Sequence, residues 1–291
     1  MSYSERARLG GPSIILGGTL ARERETRIQL CGRLSVVVEG REVVEGLPGR
    51  QGRLLFAYLA ADRDRAHQRD ELIEALWPER APAAAESALS ALLSGLRRAL
   101  GASALEGRGE LSLRLPPGAW IDLEAADEAV HRAESAAARG DWAGCWGPSL
   151  AAMLIAQRGF MPGFDAEWID RRRRRLEEIH LSALESYATC AIGIGGGELP
   201  IAEKAARELV ALAPYRERGY AVLMRALAAR GNTAEALRAY ETLRATLRDE
   251  LGASPGPELR ALQAELLRSG GLSGREPAET SPPVAPPTHA N

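Results

Sequence analysis

Thirty-four residues separate Gly197 from Gly231, Ala202 from Ala236 and Leu209 from Leu243. A fixed offset of that size is the period of helix–turn–helix units that stack side by side, the tetratricopeptide spacing. A single unit cannot bury its own apolar face, so the pattern demands neighbours and predicts an all-helical body. That body runs from Leu123 to Ser269. Tyr240 falls in the second helix of its unit, where such repeats set a large residue against a small one. The helices from Leu123 to about Leu154 read as degenerate units, and a generic array of helical hairpins is the alternative.

The stretch before the body has a different texture. Ile28, Leu30, Leu34, Val36 and Val38 share one face of an alternating pattern, with Gln29, Arg33, Ser35 and Val37 opposite. That period of two predicts strands, with a turn at Glu39-Gly40 and a return strand opening at Val43-Val44. Helices are predicted over 50–61, over 69–77 before Pro78, and from just after Pro82 to Leu100. The last is the longest, with Leu89, Leu92, Leu93, Leu96 and Leu100 as its buried stripe and Gly101 at its end. Short strands at 111–115 and 119–121, around Pro116-Pro117-Gly118, predict a closing hairpin. Strands, three helices and a hairpin make an α+β winged helix. The chain is therefore predicted to be mostly α, with a winged-helix domain over 28–122 and a helical repeat domain over 123–269. A loose leader (1–27) and a disordered Pro-rich tail (270–291) are expected to flank them.

Composition narrows the function. The 291 residues carry a net charge of −2, so nucleic-acid binding has no whole-chain electrostatic argument and must come from local patches. Cys31, Cys145 and Cys190 show no C-x-x-C spacing, and His67, His131, His180 and His289 show no metal-ligand spacing. Neither a G-x-S-x-G nor a P-loop pattern occurs, and Lys204, the only lysine, sits mid-helix in a repeat. No catalytic residue, cofactor or metal is nominated, and the expectation is a non-enzymatic cytoplasmic protein without a membrane span.

Three arginine-bearing sets remain. Opposite the leucine stripe of the third helix lie Ser87, Ser90, Ala91, Ser94 and Arg98, with Arg97 beside them. A small polar face ending in two cations suits close approach to a major groove, although a solvated helix face has the same pattern. Arg50, Gln51 and Arg53 at the start of the first helix, with Arg108 and Arg114 in the wing, form a second set fit for phosphates. The segment from Arg27 to Asp122 holds 13 arginines against 13 acidic residues, so any positive face must arise by segregation. The third set, Arg171 to Arg175, advances 100° per residue and circles its helix. Glu167, Asp170, Glu177 and Glu178 stand four residues from its members, which favours a paired, solvated cluster.

The order of the pieces resembles the SARP-type antibiotic regulatory activators. In the head the likeness rests on Leu30-Cys31-Gly32, Arg50-Gln51, Leu72-Ile73, Leu76-Trp77-Pro78 and the segment from Ser94 to Gly101. In the body it rests on Arg158-Gly159-Phe160, Glu167-Trp168, Pro214, Leu223-Met224, Gly231, Ala236-Leu237, Tyr240 and Glu250-Leu251-Gly252. The resemblance implies an OmpR-like winged helix joined to a bacterial transcriptional activator domain. It also implies an activator that binds double-stranded DNA at promoter repeats, recruits RNA polymerase and can act as a homodimer. A short member without the nucleotide-binding domain of longer relatives is implied too. Gly95 departs from the family, which often has a basic residue there; a mid-helix glycine costs ~1 kcal/mol against alanine, and a DNA contact is expected to be lost. The competing expectation is a protein-interaction module with a winged helix that no longer binds DNA.

Overall fold

The computed structural model describes residues 25–272, with side chains through Ser269. The expected tail beyond Leu272, and the expected leader before Glu25, lie outside the described residues. Two compact units divide at Ser186 and Tyr187.

In the first unit β1 (Arg27–Gln29) pairs antiparallel with β2 (Ser35–Val38), placing Ile28 opposite Val36. The Glu39-Gly40 turn takes positive φ at both residues and leads into β3 (Arg41–Glu42). Val43-Val44, expected to open the return strand, instead follows β3, and Val44–Gly46 winds into a 3-10 turn that buries Val44. Three helices follow: α1 (Gly49–Ala61), α2 (Arg69–Leu76) and α3 (Ala85–Leu100). Their inward residues match the expected stripes, with Leu55, Leu59, Leu72, Leu89 and Leu96 fully buried. Pro48 fits between α1 and α3. A Cβ on Gly52 would lie 2.3 Å from its Cγ, and one on Gly95 would lie 2.8 Å away. Gly95 is therefore a packing glycine turned toward Pro48, and close helix approach offsets its intrinsic cost.

The closing hairpin differs from the expected one. β4 (His67–Gln68), β5 (Leu105–Glu106) and β6 (Glu110–Leu113) form one sheet in the order β4-β6-β5, so the wing is β5–β6. Its tip is Gly107-Arg108-Gly109. Gly107 has φ +88°, and a Cβ there would lie 1.9 Å from the Glu110 carbonyl oxygen, so only glycine closes this turn. Pro116-Pro117-Gly118 is a turn as expected, with Ala119 N–H donating to Pro116 C=O at 3.1 Å. It does not join a hairpin, because β7 (Trp120–Ile121) crosses to the other sheet and pairs parallel with β1.

The first unit continues through α4 (Asp122–Ala138), α5 (Trp142–Ala156) and the start of α6 (Glu167–Ile194). The winged helix and these helices share one apolar core. Asp122, wholly buried, accepts the backbone N–H groups of Leu30 at 2.8 Å and Cys31 at 2.9 Å. Burial pushes its carboxyl pKa up, against those two hydrogen bonds. The loop 157–166 docks on the same edge: Gly32 N–H donates to Gly159 C=O at 2.7 Å, and Met161 N–H to Leu30 C=O at 3.0 Å. Phe160, fully buried, packs edge-on to Trp168.

The second unit takes in the end of α6, then α7 (Leu199–Leu212), α8 (Glu217–Ala229), α9 (Thr233–Leu251) and α10 (Pro257–Leu272). Ala202, Leu209, Ala236 and Leu243, the repeat positions, are all fully buried, and Tyr240 is buried in α9. Gly231 takes φ +82° in the turn before α9. Among the described residues no helix is long and apolar enough to cross a membrane.

Candidate nucleic-acid interface

The outer face of α3 emerges as its spacing predicts. Leu89, Leu93, Leu96 and Leu100 point inward, while Ser87, Ser90, Ala91, Ser94 and Arg98 are exposed. Ser94 Oγ donates back to the Ser90 carbonyl at 2.9 Å, which keeps that hydroxyl flat against the helix. Arg98 is exposed, and its guanidinium has no partner among the described residues. Arg108, at the wing tip, is likewise exposed with an unpartnered side chain.

Two other arginines hold the wing beside α3. Arg97 donates to Gly107 C=O at 3.2 Å. Arg69, at the start of α2, donates to Glu86 Oε2 at 2.8 Å, to Ser90 Oγ at 2.9 Å and to Arg108 C=O at 3.5 Å. Arg69 was not nominated from the sequence. Its partners stand 17, 21 and 39 residues away, so no local spacing signals them. Arg114 is bound to Glu106 at 2.7 Å across the base of the hairpin.

The set at the start of α1 is bound to neighbouring parts of the fold, although Arg50 is exposed. Arg50 donates to Gly163 C=O at 2.7 Å, and its guanidinium lies 4.4 Å from the Phe164 ring centroid. Gln51 reaches the Leu76 carbonyl at 3.4 Å, and its Oε1 is buried without a partner. Arg53 pairs with Glu45 at 3.3 Å. These side chains join α1 to its surroundings, whereas Ser87, Arg98 and Arg108 remain open to a ligand.

At the other end of α1, Tyr58 Oη donates to Glu71 Oε1 at 2.6 Å, and Arg65 binds both Asp62, at 2.7 Å, and Glu71. The Arg65 guanidinium, followed by the Tyr58 and His67 contacts, holds the Glu71 carboxyl down at about 2. Burial, reinforced by the hydrogen bond to Glu71, pushes the Tyr58 phenol up to about 12. His67, fully buried, contacts Glu71 at 3.4 Å and Asp62 C=O at 3.0 Å.

The Arg171–Arg175 run is largely paired. Arg171 binds Glu167 at 2.7 Å, Arg175 binds Asp127, and Arg173 donates to the carbonyls of Phe160, Met161 and Phe164. Asp170 pairs with Arg173 at 3.1 Å and not with Arg174, the partner four residues on. Among the described residues no group of three or more His, Cys, Asp or Glu could hold a metal ion.

Comparison with known proteins follows this architecture. Residues 121–267 match the family described as the bacterial transcriptional activator domain. The chain is 30% identical over 277 residues to the transcriptional regulatory protein EmbR of Mycobacterium tuberculosis, covering 91% of this chain and 69% of that protein. It is 32% identical over 257 residues to the regulatory protein AfsR of Streptomyces coelicolor, covering 87% of this chain and 25% of AfsR. The solved structure of M. tuberculosis EmbR in complex with a low-affinity phosphopeptide superposes with a TM-score of 0.75 at 27% identity. It covers 85% of this chain and 66% of that one. The chain thus spans about two thirds of EmbR and a quarter of AfsR. With the winged helix in front of the matched domain, the chain belongs to the SARP-type transcriptional regulators, which carry a bacterial transcriptional activator domain.

Proposed function

We propose that this regulator binds promoter DNA through α3 and the β5–β6 wing and activates transcription through its helical body. The observation that carries the reading is the exposed face of α3, small and polar and ending in the unpartnered Arg98, with the wing fixed beside it through Arg69 and Arg97. Ser87 and Ser90 give a low profile that lets a helix backbone approach base edges, and Arg98 reaches guanine or phosphate. Arg108 at the tip braces the duplex backbone. Arg50, Gln51, Arg53, Arg97 and Arg114 then position these elements. With equal numbers of arginines and acidic residues over 27–122, affinity is modest and falls steeply with salt.

The partners of this reading are double-stranded DNA bearing promoter repeats, RNA polymerase and a second copy of the chain, in the cytoplasm, with no catalysis. The competing reading is an interaction module with a degenerate head, motivated by the neutral head, the poor readout face and Gly95, for which packing against Pro48 supplies a reason within the fold. The test is a titration of the full chain on its own upstream DNA and on scrambled DNA at two salt concentrations. Preferential binding that weakens with salt is expected. Equal, weak binding to both would overturn the DNA reading and leave the helical body as the working part.

A further inference from the structure

Three arginines of the Arg171–Arg175 run, although Arg171 and Arg175 are exposed, border one cavity. About 330 Å³ in volume, it lies between Tyr58, Asp62 and Arg65, at and just beyond the end of α1, and Arg171, Arg172 and Arg175 on α6. On a helix, residues three and four apart are neighbours, so Arg175 stands beside both Arg171 and Arg172. Four guanidiniums and the Asp62 carboxylate line this cavity, while Glu71, Glu167 and Asp127 pair with Arg65, Arg171 and Arg175 from outside its lining.

Their donors are unequally used. Arg65 places four of its five N–H groups on Asp62, Glu71 and the Ala66 carbonyl, and serves as wall. Arg171 and Arg175 each place one Nη on a carboxylate, of Glu167 and Asp127 respectively, and keep their other N–H groups. Arg172 has only Asp62 at 3.9 Å, beyond hydrogen-bond reach, while its side chain is 35% exposed. A charge cluster built for mutual neutralisation accounts for Arg171 and Arg175 but leaves Arg172 only a long ion pair to Asp62, a carboxylate that Arg65 already holds. Planar guanidinium forks match the oxygens of phosphates, and a cavity of a few hundred Å³ has the size of a small-molecule site. A duplex does not enter such a space.

We propose that this cavity binds a small phosphate-class anion, held by Arg172 with Arg171 and Arg175. The occupant ties the end of α1 to α6, so its concentration adjusts how firmly the winged helix is seated. The site stands apart from the DNA-binding reading and does not rest on it.

The experiment is calorimetric titration of the full chain with sodium pyrophosphate at constant ionic strength, with sodium sulfate as the reference anion. Saturable binding of one pyrophosphate per chain is expected, tighter than sulfate. Arg172→Gln and Arg175→Gln should each weaken it tenfold or more. Arg174→Gln, on the same run but outside the cavity, should change it less than twofold. Circular dichroism of each variant establishes that it is folded. Phenyl phosphate against inorganic phosphate then separates an organic ester from the free ion, both within the proposal. No saturable binding, or equal losses in Arg172→Gln and Arg174→Gln, overturns it. So does a pattern in which Arg172→Gln weakens scrambled DNA binding while pyrophosphate fails to saturate, because the arginines would then serve a duplex backbone.

Discussion

Arg50, Gln51 and Arg53 at the start of α1 and Arg98 near the end of α3 are polar side chains of one winged helix, yet only Arg98 lacks a partner inside the fold. For Arg50 the loop 157–166 makes the difference, for Gln51 the Leu76 carbonyl and for Arg53 Glu45. The loop brings Gly163 and Phe164 against Arg50, and nothing comparable covers α3. A cation becomes available to a ligand when the chain supplies it with no acceptor, so residue type and helical face are not sufficient grounds for a site. Of the head's acidic residues, Glu45, Asp62 and Glu71 pair with arginines away from α3, while Glu86 on α3 and Glu106 in the wing pair with Arg69 and Arg114.

Five measurements press on that contrast. The largest effect is expected for Gly95→Arg, which drives a Cβ to 2.8 Å from Pro48. Overpacking of this kind should cost about 3 kcal/mol in denaturant unfolding, with no gain in DNA affinity; tighter binding would put Gly95 on the DNA side after all. Next comes Arg98→Ala, expected to weaken promoter binding by about 2 kcal/mol and relax its sequence preference. Its unfolding midpoint should stay put, and a variant that binds normally at moderate salt would remove Arg98 from the interface.

Acid should act on the far end of α1. Glu71, held at about 2, is depressed below the ordinary glutamate value of about 4.3. It therefore stabilises the fold fully above that ordinary value and loses this contribution as pH falls through about 2. After allowance for its partial exposure, the loss is about 1–2 kcal/mol. Glu71→Gln should flatten this part of the stability–pH curve; an unchanged slope would mean Arg65 does not hold the carboxylate in solution. Arg50→Ala should cost about 1 kcal/mol of stability for its hydrogen bond and leave DNA affinity intact, the mirror image of Arg98→Ala. The smallest effect is expected for Arg108→Ala, a near-uniform weakening across DNA sequences that lowers the salt slope by about 1. A change in sequence preference would instead assign the wing tip to base reading.

The helices were legible because their signals are local. The leucine stripe of α3 and Gly101 after it set that element, and the offset between Gly197 and Gly231 set the repeat. The wing is not legible in the sequence because β5 is only two residues long, too short to alternate, while Pro116-Pro117-Gly118 offers a louder turn signal than Gly107-Arg108-Gly109. The packing partner of Gly95, Pro48, lies 47 residues back along the chain, beyond any local signal. Spacing along α6 shows only the partners of the arginine run that lie on the same helix. Asp62 and Asp127, which approach Arg172 and Arg175, come from other elements altogether.

Asp122 has a consequence for inheritance. It is the first residue of α4, yet its carboxylate holds two amides that belong to the edge of the N-terminal sheet. A gene fusion joined just before it would give the winged helix a stranger at that position and leave both amides without their acceptor. One joined just after it would still discard Phe160 and the loop that seals the same edge. The head is thus a poor cassette for swapping onto a foreign body at residue 122, and shuffling that keeps it working must carry the chain onward to about Ser186.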